Sequence, residues 1–234
     1  MLEVNNLNTC YGELQVLRDV SLRVNTGELV ILFGPNGHGK STLLKTICGL
    51  LTPRSGSVRW NGQELTRLST QKLVEMGIVY IAEERHLFPD MTVLDNLVLG
   101  AYNANARKDK ARNLEHVFEL FPRLVGHKNR LARTLSGGEA QMVAIGRGLM
   151  SSAKFLAIDE PSFGLAPIVR DEVFKTIEEV RKRGITILLV EQSTTEVSGL
   201  ADRVYLMEDG RIALEGTEQE VMNNEHVKRV FLGL

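Results

Sequence analysis

One segment combines residue types whose spacing suits the binding of phosphate. It reads Gly34-Pro35-Asn36-Gly37-His38-Gly39-Lys40-Ser41, with four residues between the first glycine and Gly39. Because it follows the apolar run Leu29–Phe33 and precedes a helical pattern, backbone N–H groups can converge there on the phosphates of a nucleotide. We expect the whole segment and Thr42 to bind nucleotide, with Lys40 on the β- and γ-phosphates, Thr42 near the α-phosphate and Ser41 as a ligand of Mg²⁺.

A second segment, Leu135-Ser136-Gly137-Gly138-Glu139, can be interpreted in two ways. It fits a capping box, with Ser136 as the N-cap and Glu139 three positions later, so an ordinary helix start is one interpretation. Two glycines in the first turn cost about 1 kcal/mol each relative to alanine, and a purely structural cap gives no reason for them. The alternative is that bare backbone approaches a phosphate closely, which predicts a second phosphate-facing helix start.

Two carboxylates follow the apolar stretch Phe155–Ile158. Asp159 at the tip of a strand can hold Mg²⁺ through water, and Glu160 beside it can polarise an attacking water. An acidic pair at a strand end is often only a solvated loop. Its place downstream of a phosphate-binding segment favours the catalytic interpretation.

The elements that must position these residues follow from the apolar pattern. Buried strands are predicted at Leu29–Phe33, Val79–Ala82, Phe155–Ile158 and Ile185–Val190, and helices at Ser41–Gly49 and Val169–Lys182. Strand–helix–strand alternation requires right-handed parallel crossovers and predicts an α/β fold with a mainly parallel sheet.

Other parts of the chain have a different periodicity. Residues 2–24 alternate like antiparallel strands, and hairpins are predicted around Asn61-Gly62 and Glu208-Asp209-Gly210. Between 90 and 150 the apolar spacing is helical. We therefore expect one domain over 1–234, in which the antiparallel and nucleotide-binding parts occupy 1–89 and 151–234 and a helical subdomain occupies 90–150.

Composition limits the partners. The 28 basic and 29 acidic residues give a net charge of −1, which offers no reason to expect nucleic acid. No apolar run approaches the roughly 18–20 residues that span a bilayer, and the first residues do not resemble a signal peptide. Cys10 and Cys48 lack metal-ligand spacing and suit a reducing cytoplasm. Any membrane role is therefore expected to depend on a partner.

The phosphate-binding segment, the Leu-Ser-Gly-Gly-Glu signature and the Asp-Glu pair, in this order over the whole chain, resemble those of ATP-binding-cassette ATPases. The resemblance implies ATP and Mg²⁺ as cofactors and Tyr11 as the aromatic that stacks on adenine, although Tyr11 could also be a core aromatic. It also implies head-to-tail dimers. One subunit's Lys40 loop and the other's Ser136 helix would enclose the ATP.

Three positions depart from the common pattern of this family. Glu83 stands where glutamine is usual, Gln192 where a switch histidine is usual, and Ala166 where an aspartate is usual. Drift in a degraded site is one interpretation, but Lys40 and the Asp-Glu pair are intact. We hypothesise that Gln192 donates an amide hydrogen bond to the γ-phosphate and that Glu83 is a carboxylate ligand of Mg²⁺. His38 replaces a usual alanine, and the sequence assigns it no role.

These departures resemble one subgroup, the LivF-type ATPases of branched-chain amino-acid importers. The matching stretches are Glu83-Glu84-Arg85, Phe88-Pro89, 121–124, 162–167, 190–192 and 231–233. The resemblance implies a peripheral subunit at the cytoplasmic face of the membrane. Its partners would be a second cassette ATPase (a paralogue, or another copy), two permease subunits and an extracytoplasmic solute-binding protein. An importer of urea, short amides or other amino acids, and a soluble non-transport cassette ATPase, stay open as alternatives.

Overall fold

Ten strands form two sheets in the computed structural model, which describes residues 1–192 and 199–229. The matching stretch 231–233 therefore lies outside the described residues. The smaller sheet is antiparallel and has the order β2-β1-β4-β5. Its strands are β1 (Leu2–Tyr11), β2 (Leu14–Val24), β4 (Ser55–Trp60) and β5 (Gln63–Glu64). Trp60 pairs with Gln63, which confirms the hairpin predicted at Asn61-Gly62.

The larger sheet has six strands in the order β10-β9-β3-β8-β7-β6, and all its pairs are parallel except that of β9 and β10. It confirms the predicted α/β fold class. The strands are β3 (Leu29–Phe33), β6 (Ile78–Ile81), β7 (Phe155–Asp159), β8 (Thr186–Glu191), β9 (Arg203–Glu208) and β10 (Arg211–Gly216).

The helices divide between those outside residues 90–150 and those within them. In the first group, α1 (Lys40–Ile47), α2 (Thr70–Met76) and α8 (Pro167–Lys182) connect strands, and α9 (Glu218–Asn223) and α10 (Glu225–Val227) follow β10. The second comprises α3 (Val93–Leu99), α4 (Ala104–Lys108), α5 (Lys110–Leu120), α6 (Pro122–His127), a 3₁₀ turn (Ala132–Thr134) and α7 (Gly137–Leu149). None of the helices described in 1–192 and 199–229 has the length and apolar character to cross a membrane.

One boundary inside the helical segment shows why local chemistry decides where elements end. Phe121 continues the apolar face of α5 in the sequence, but α5 stops at Leu120. Phe121 is followed by Pro122, the first residue of α6. Helical geometry is disfavoured for a residue that precedes proline. Phe121 accordingly has φ −126° and ψ 70°, and its side chain is still buried in the core.

Strand β3 shows how the core is divided by the larger sheet. Leu29, Ile31 and Phe33 point into an apolar cluster shared with α7 and α8, whereas Val30 and Leu32 point into a cluster shared with α1 and the smaller sheet. Burial on both faces is typical of a central parallel strand. Because β3, β7 and β8 run in parallel, their carboxyl ends meet at one edge, where α/β proteins bind ligands.

Candidate nucleotide site

The glycine-rich loop leads from β3 into α1 and encloses the side chain of Lys40. Lys40 is 4 % exposed, and its Nζ donates hydrogen bonds to the carbonyl oxygens of Gly34 (2.7 Å) and Pro35 (3.1 Å). Its Nζ lies 3.6 Å from Oε1 of Glu160. Burial lowers the pKa of Lys40, although the charge of Glu160 acts in the opposite direction. The loop thus holds the ammonium group of Lys40 at a place where a nucleotide phosphate could replace the carbonyl oxygens as its hydrogen-bond acceptor.

Asp159 is buried at the end of β7 and is bonded through both carboxylate oxygens. Ser41 Oγ donates to Oδ1 (3.0 Å) and the Tyr80 hydroxyl donates to Oδ2 (2.8 Å). Burial raises the pKa of Asp159, and the two hydrogen bonds counteract that rise. Burial and then the charge of Asp159 raise the pKa of Tyr80, so its hydroxyl stays protonated and acts as the donor.

This donor set fits Mg²⁺. Ser41 Oγ and Asp159 Oδ1 are 3.0 Å apart, close to the roughly 2.9 Å expected between adjacent ligands of an octahedral ion with bonds of 2.0–2.1 Å. Within the described ranges, no group of three His, Cys, Asp or Glu side chains could hold a metal ion. An ion held by one or two protein oxygens and by substrate phosphates is the usual arrangement for Mg²⁺.

Glu160 occupies an unusual backbone conformation beside Lys40. Its φ is 41°, in the left-handed region, a conformation that costs about 1–3 kcal/mol for a residue other than glycine. A backbone hydrogen bond to Val190 O (3.0 Å) holds it there. Gln192 Nε2 donates to Glu160 Oε2 at 2.6 Å, so the two predicted catalytic side chains are in direct contact. A carboxylate aimed at the phosphate loop in this way can accept a proton from water.

The structure brings residues of the phosphate-binding segment together with Glu83, Glu160 and Gln192 around one cleft of about 330 Å³. Glu83 reaches it from the end of β6, and burial, followed by the charge of Glu160, raises the pKa of Glu83. Phe163, which the sequence analysis did not select, also lines this cleft. The complete lining is Asn36, Gly37, Gly39, Lys40, Ser41, Thr42, Glu83, Glu160, Phe163 and Gln192.

Four predicted nucleotide-binding residues are not in this lining. Gly34 and Pro35 are the carbonyl partners of Lys40 described above, and the other two are Tyr11 and His38. Tyr11 ends β1 with 47 % of its surface exposed, so the alternative that it is a core aromatic is wrong, and adenine stacking stays a prediction. The His38 ring faces the turn between β9 and β10, where Nδ1 accepts a hydrogen bond from the backbone N–H of Asp209 at 2.9 Å. Gly210 N also donates to His38 O (3.1 Å), so His38 ties the phosphate loop to this turn.

The signature segment forms the capping box that its sequence predicts. Glu139 N donates to Ser136 Oγ (3.4 Å), and Ser136 N donates to Glu139 Oε2 (2.8 Å). Burial acts to raise the pKa of Glu139, but the bonds from Ser136 and the charges of His127 and Arg130 outweigh it, and the pKa is lowered. Ser136 and Gly137 are exposed at this helix start, where an outside ligand can reach them.

The two glycines of the signature segment differ in their surroundings, so the prediction that both serve a phosphate is wrong in its reason for Gly138. A Cβ on Gly138 would lie 2.0 Å from Val169 Cγ1, so the packing of α7 against α8 already requires glycine there. Among the described residues, a Cβ on Gly137 would come closest to Leu165 Cδ2, at 3.5 Å, an ordinary contact. The packing of the described residues therefore explains the glycine at 138 and does not explain the one at 137.

Two further contacts position the site and were missed by the sequence analysis. Glu191 accepts hydrogen bonds from Ser162 N (3.2 Å) and Ser162 Oγ (3.0 Å), which fixes the loop after Glu160 to β8. Tyr80, whose hydroxyl binds Asp159, is predicted from the sequence only as a residue of a core strand. A tyrosine in a buried strand usually needs a partner for its hydroxyl, and that signal could have identified it.

A central parallel strand followed by a phosphate loop, with a buried carboxylate pair at the end of β7, two strands away in the same sheet, defines a nucleotide-hydrolysing protein of the phosphate-loop class. The chain belongs to the ABC transporter family, whose model matches residues 17–163. It is accordingly an ATP-binding subunit that hydrolyses ATP in coupling with transport.

The comparisons with individual proteins agree with this assignment. The chain is 44 % identical over 233 residues to the high-affinity branched-chain amino acid transport ATP-binding protein BraG of Pseudomonas aeruginosa, with 100 % of both chains covered. It is 34 % identical to the lipopolysaccharide export system ATP-binding protein LptB of Haemophilus influenzae, covering 100 % of this chain and 97 % of that protein. The crystal structure of the ADP conformation of MJ1267, an ATP-binding cassette of an ABC transporter, has a TM-score of 0.87 at 30 % identity, covering 100 % and 99 %. The predicted family, fold and ATPase activity are confirmed.

Proposed function

We propose that this chain is the ATP-hydrolysing subunit of an importer for branched-chain amino acids, acting at the cytoplasmic face of the membrane. The observation that carries the proposal is the 44 % identity to BraG over the full length of both chains. In the proposed complex the chain pairs with a second cassette ATPase, a paralogue or another copy. It binds two permease subunits, and an extracytoplasmic solute-binding protein delivers the cargo.

The geometry of the cleft supports ATP hydrolysis with Mg²⁺. Lys40 supplies a buried cation, Ser41 and Asp159 supply paired oxygens, and Glu160 supplies a base beside them. Gln192 in place of histidine keeps a hydrogen-bond donor 2.6 Å from Glu160, so this substitution does not remove the contact to the base. Magnesium bound here would neutralise charge that develops on the transferred phosphate.

A surface next to the cleft supports the proposed permease contact. A groove of about 650 Å³ runs between the loop 82–88 and the residues that end α3, and we call it the loop–helix groove. Phe88 and Tyr102 line it and are 52 % and 70 % exposed. Arg147 of the signature helix α7 donates to the carbonyl oxygens of Arg85 (2.8 Å) and His86 (2.8 Å). A partner seated in the groove would thus contact a loop that reaches both Glu83 and α7.

Export of lipopolysaccharide is the second candidate function. The 34 % identity to LptB also extends over nearly the whole of both chains. The cargo of either system is selected by proteins other than this ATPase, so the cleft is compatible with both. The difference in identity favours amino-acid import.

Co-expression with the membrane-spanning proteins encoded beside this chain tests the proposal. We expect a stable complex that, in liposomes with the matching solute-binding protein, accumulates leucine only when ATP and Mg²⁺ are supplied. ATP-dependent release of lipopolysaccharide without leucine uptake would favour the second candidate. Failure of the chain to associate with any membrane-spanning protein would contradict both.

A matched pair of variants tests whether the loop–helix groove is the contact. Tyr102→Asp places a charge in the groove and should prevent assembly with the permeases. Val125→Asp places the same charge on an exposed apolar residue of α6, outside the groove, and should leave assembly unchanged. Equal behaviour of the two variants would count against this surface.

A further inference from the structure

Tyr80 lies on β6, which is the edge strand of the larger sheet. It pairs with Ala157 of the neighbouring strand β7. Because side chains alternate along a strand, Tyr80 shares a face with Ala157 and with Asp159 two residues further on. This register lets the Tyr80 hydroxyl reach across to Oδ2 of Asp159, at 2.8 Å.

The bond from Tyr80 completes the fixation of the Asp159 carboxylate. Ser41 Oγ holds Oδ1 at 3.0 Å, and Tyr80 holds Oδ2. Asp159 is 2 % exposed, so its two oxygens are oriented by protein groups. A carboxylate held at both oxygens presents a defined lone-pair direction toward Mg²⁺, which is how groups behind a ligand tune metal affinity.

The same tyrosine side chain contributes to the loop–helix groove, together with Phe88, Leu99 and Tyr102. No strand in the described part of the sheet covers the outer edge of β6. A partner segment bound in the groove would therefore lie against β6, the strand that carries Tyr80. One side chain connects the groove with the carboxylate of the metal site.

We propose that Tyr80 is a positioning residue that makes the magnesium affinity of the nucleotide site depend on what occupies the loop–helix groove. The identity of the natural occupant, a permease segment, rests on the proposed function. The link through Tyr80 is a property of this chain and can be measured without any partner.

The first test measures metal affinity directly. Mn²⁺ replaces Mg²⁺ as a paramagnetic probe, and its binding to the ATP-loaded chain is followed by electron paramagnetic resonance. Tyr80→Phe removes only the hydroxyl and should weaken Mn²⁺ binding about tenfold or more, the range found for groups behind a metal ligand. The affinity for ATP in the presence of a chelator should stay unchanged.

Tyr205→Phe is the matched control. Tyr205 is also a buried strand tyrosine, and its hydroxyl bonds to a carboxylate, Oε1 of Glu215, at 3.0 Å. Its removal should leave the affinity for Mn²⁺ unchanged. If both variants weaken Mn²⁺ binding equally, or if neither does, Tyr80 has no positioning role and the proposal fails.

The second test fills the groove artificially. In a Cys10→Ser background, Tyr102→Cys introduces an exposed thiol for a bulky maleimide, while Cys48 is buried with a raised pKa and stays unreactive. We expect the label to change Mn²⁺ affinity severalfold when Tyr80 is present and to have no effect in the Tyr80→Phe variant. A label effect of equal size in both backgrounds, or none in either, would overturn the link. Loss of permease association would instead contradict the proposed function and leave these measurements valid.

Discussion

Glu160 combines a strained backbone with close polar contacts. Its left-handed φ of 41° is unfavourable, yet the side chain is almost fully buried between Lys40 and Gln192. Strain that persists in this way is maintained by the surrounding structure and is common at functional sites. We infer that the conformation places the carboxylate within hydrogen-bond reach of the attacking water.

Glu160→Gln should convert the chain into an ATP-dependent dimer. The amide keeps the shape of the side chain but cannot accept the proton of water, so ATP binds and persists. Light scattering after gel filtration with ATP and Mg²⁺ should give a dimer for this variant and a monomer with ADP. Glu84→Gln removes a nearby exposed carboxylate and should behave as the unchanged chain. A Glu160→Gln chain that stays monomeric at saturating ATP would contradict a shared site.

Asp159 provides a prediction about pH. Burial raises its pKa above the ordinary 3.8 in the folded state. Protonation of Asp159 therefore favours the folded state over the unfolded state. This contribution to stability is fully present below pH 3.8 and is lost as the pH rises through the raised pKa of the folded state. At neutral pH the ionised, buried carboxylate therefore lowers stability in the absence of metal.

Asp159→Asn should accordingly raise the melting temperature near neutral pH in the presence of a chelator. The gain should shrink as the pH falls, because the unchanged chain then protonates Asp159. Thermal unfolding between about pH 4 and 8 would measure it. Asp171→Asn, on the exposed face of α8, is the control and should show no such trend. A variant less stable than the unchanged chain near neutral pH would refute the argument.

At the scale of elements, the two glycines at the start of α7 are expected to have different roles, one in packing and the other in function. Gly138 touches Val169 of α8, while Gly137 is exposed. Gly138→Ala should lower the free energy of unfolding by about 1–3 kcal/mol, as overpacking does. Gly137→Ala should change it by less than about 1 kcal/mol, in the stabilising direction. Urea denaturation measures both.

The variant that keeps its stability is expected to be the one that loses function. Gly137→Ala, although stable, should weaken ATP-dependent dimerisation in the Glu160→Gln background, because a methyl group blocks close approach of the backbone to a phosphate. If Gly137→Ala dimerises as tightly as its parent, the exposed glycine does not face a nucleotide. Gly138→Ala at low temperature, where it stays folded, is the comparison.

Elements and motifs of this chain are predictable where the signal is local. Leu29–Phe33 is apolar on both faces because the strand is central, and the phosphate loop follows it directly. The bond between Tyr80 and Asp159 joins residues 79 positions apart, and the contact of Gly138 with Val169 joins two different helices. Neither is contained in a local pattern, since both depend on the packing of separate elements. The reacting groups are therefore predictable from the sequence, whereas the groups that position them are not.

At the scale of the whole molecule, the two elements predicted to face phosphate differ in their surroundings. The loop around Lys40 is completed by Glu160 and Gln192 of the same chain. The exposed helix start at Ser136 and Gly137 is absent from the lining of that cleft, given above for the described residues. A helix start that points its free N–H groups outward is suited to a phosphate held by another molecule. This supports the head-to-tail pairing that the family resemblance implies.

Mixing two inactive variants tests the pairing. Lys40→Ala removes the phosphate-binding cation, and Gly137→Asp puts a negative charge on the exposed helix start, where the structure has room for it. Each variant alone should lack ATPase activity. In a mixed pair, the Lys40 loop of one chain meets the intact helix start of the other, so one of the two sites is complete.

Random pairing of equal amounts should restore about a quarter of the unchanged activity, because half of the pairs are mixed and each has one complete site. The rate should rise with the square of protein concentration where dimers are scarce, which a site within one chain would not do. Lys40→Ala mixed with Glu160→Gln is the control, since both changes disable the same half of the site and no complete site can form. Restored activity in that control would contradict the proposed division of the site. If neither mixture recovers activity while the unchanged chain is active alone, the helix start acts within its own chain.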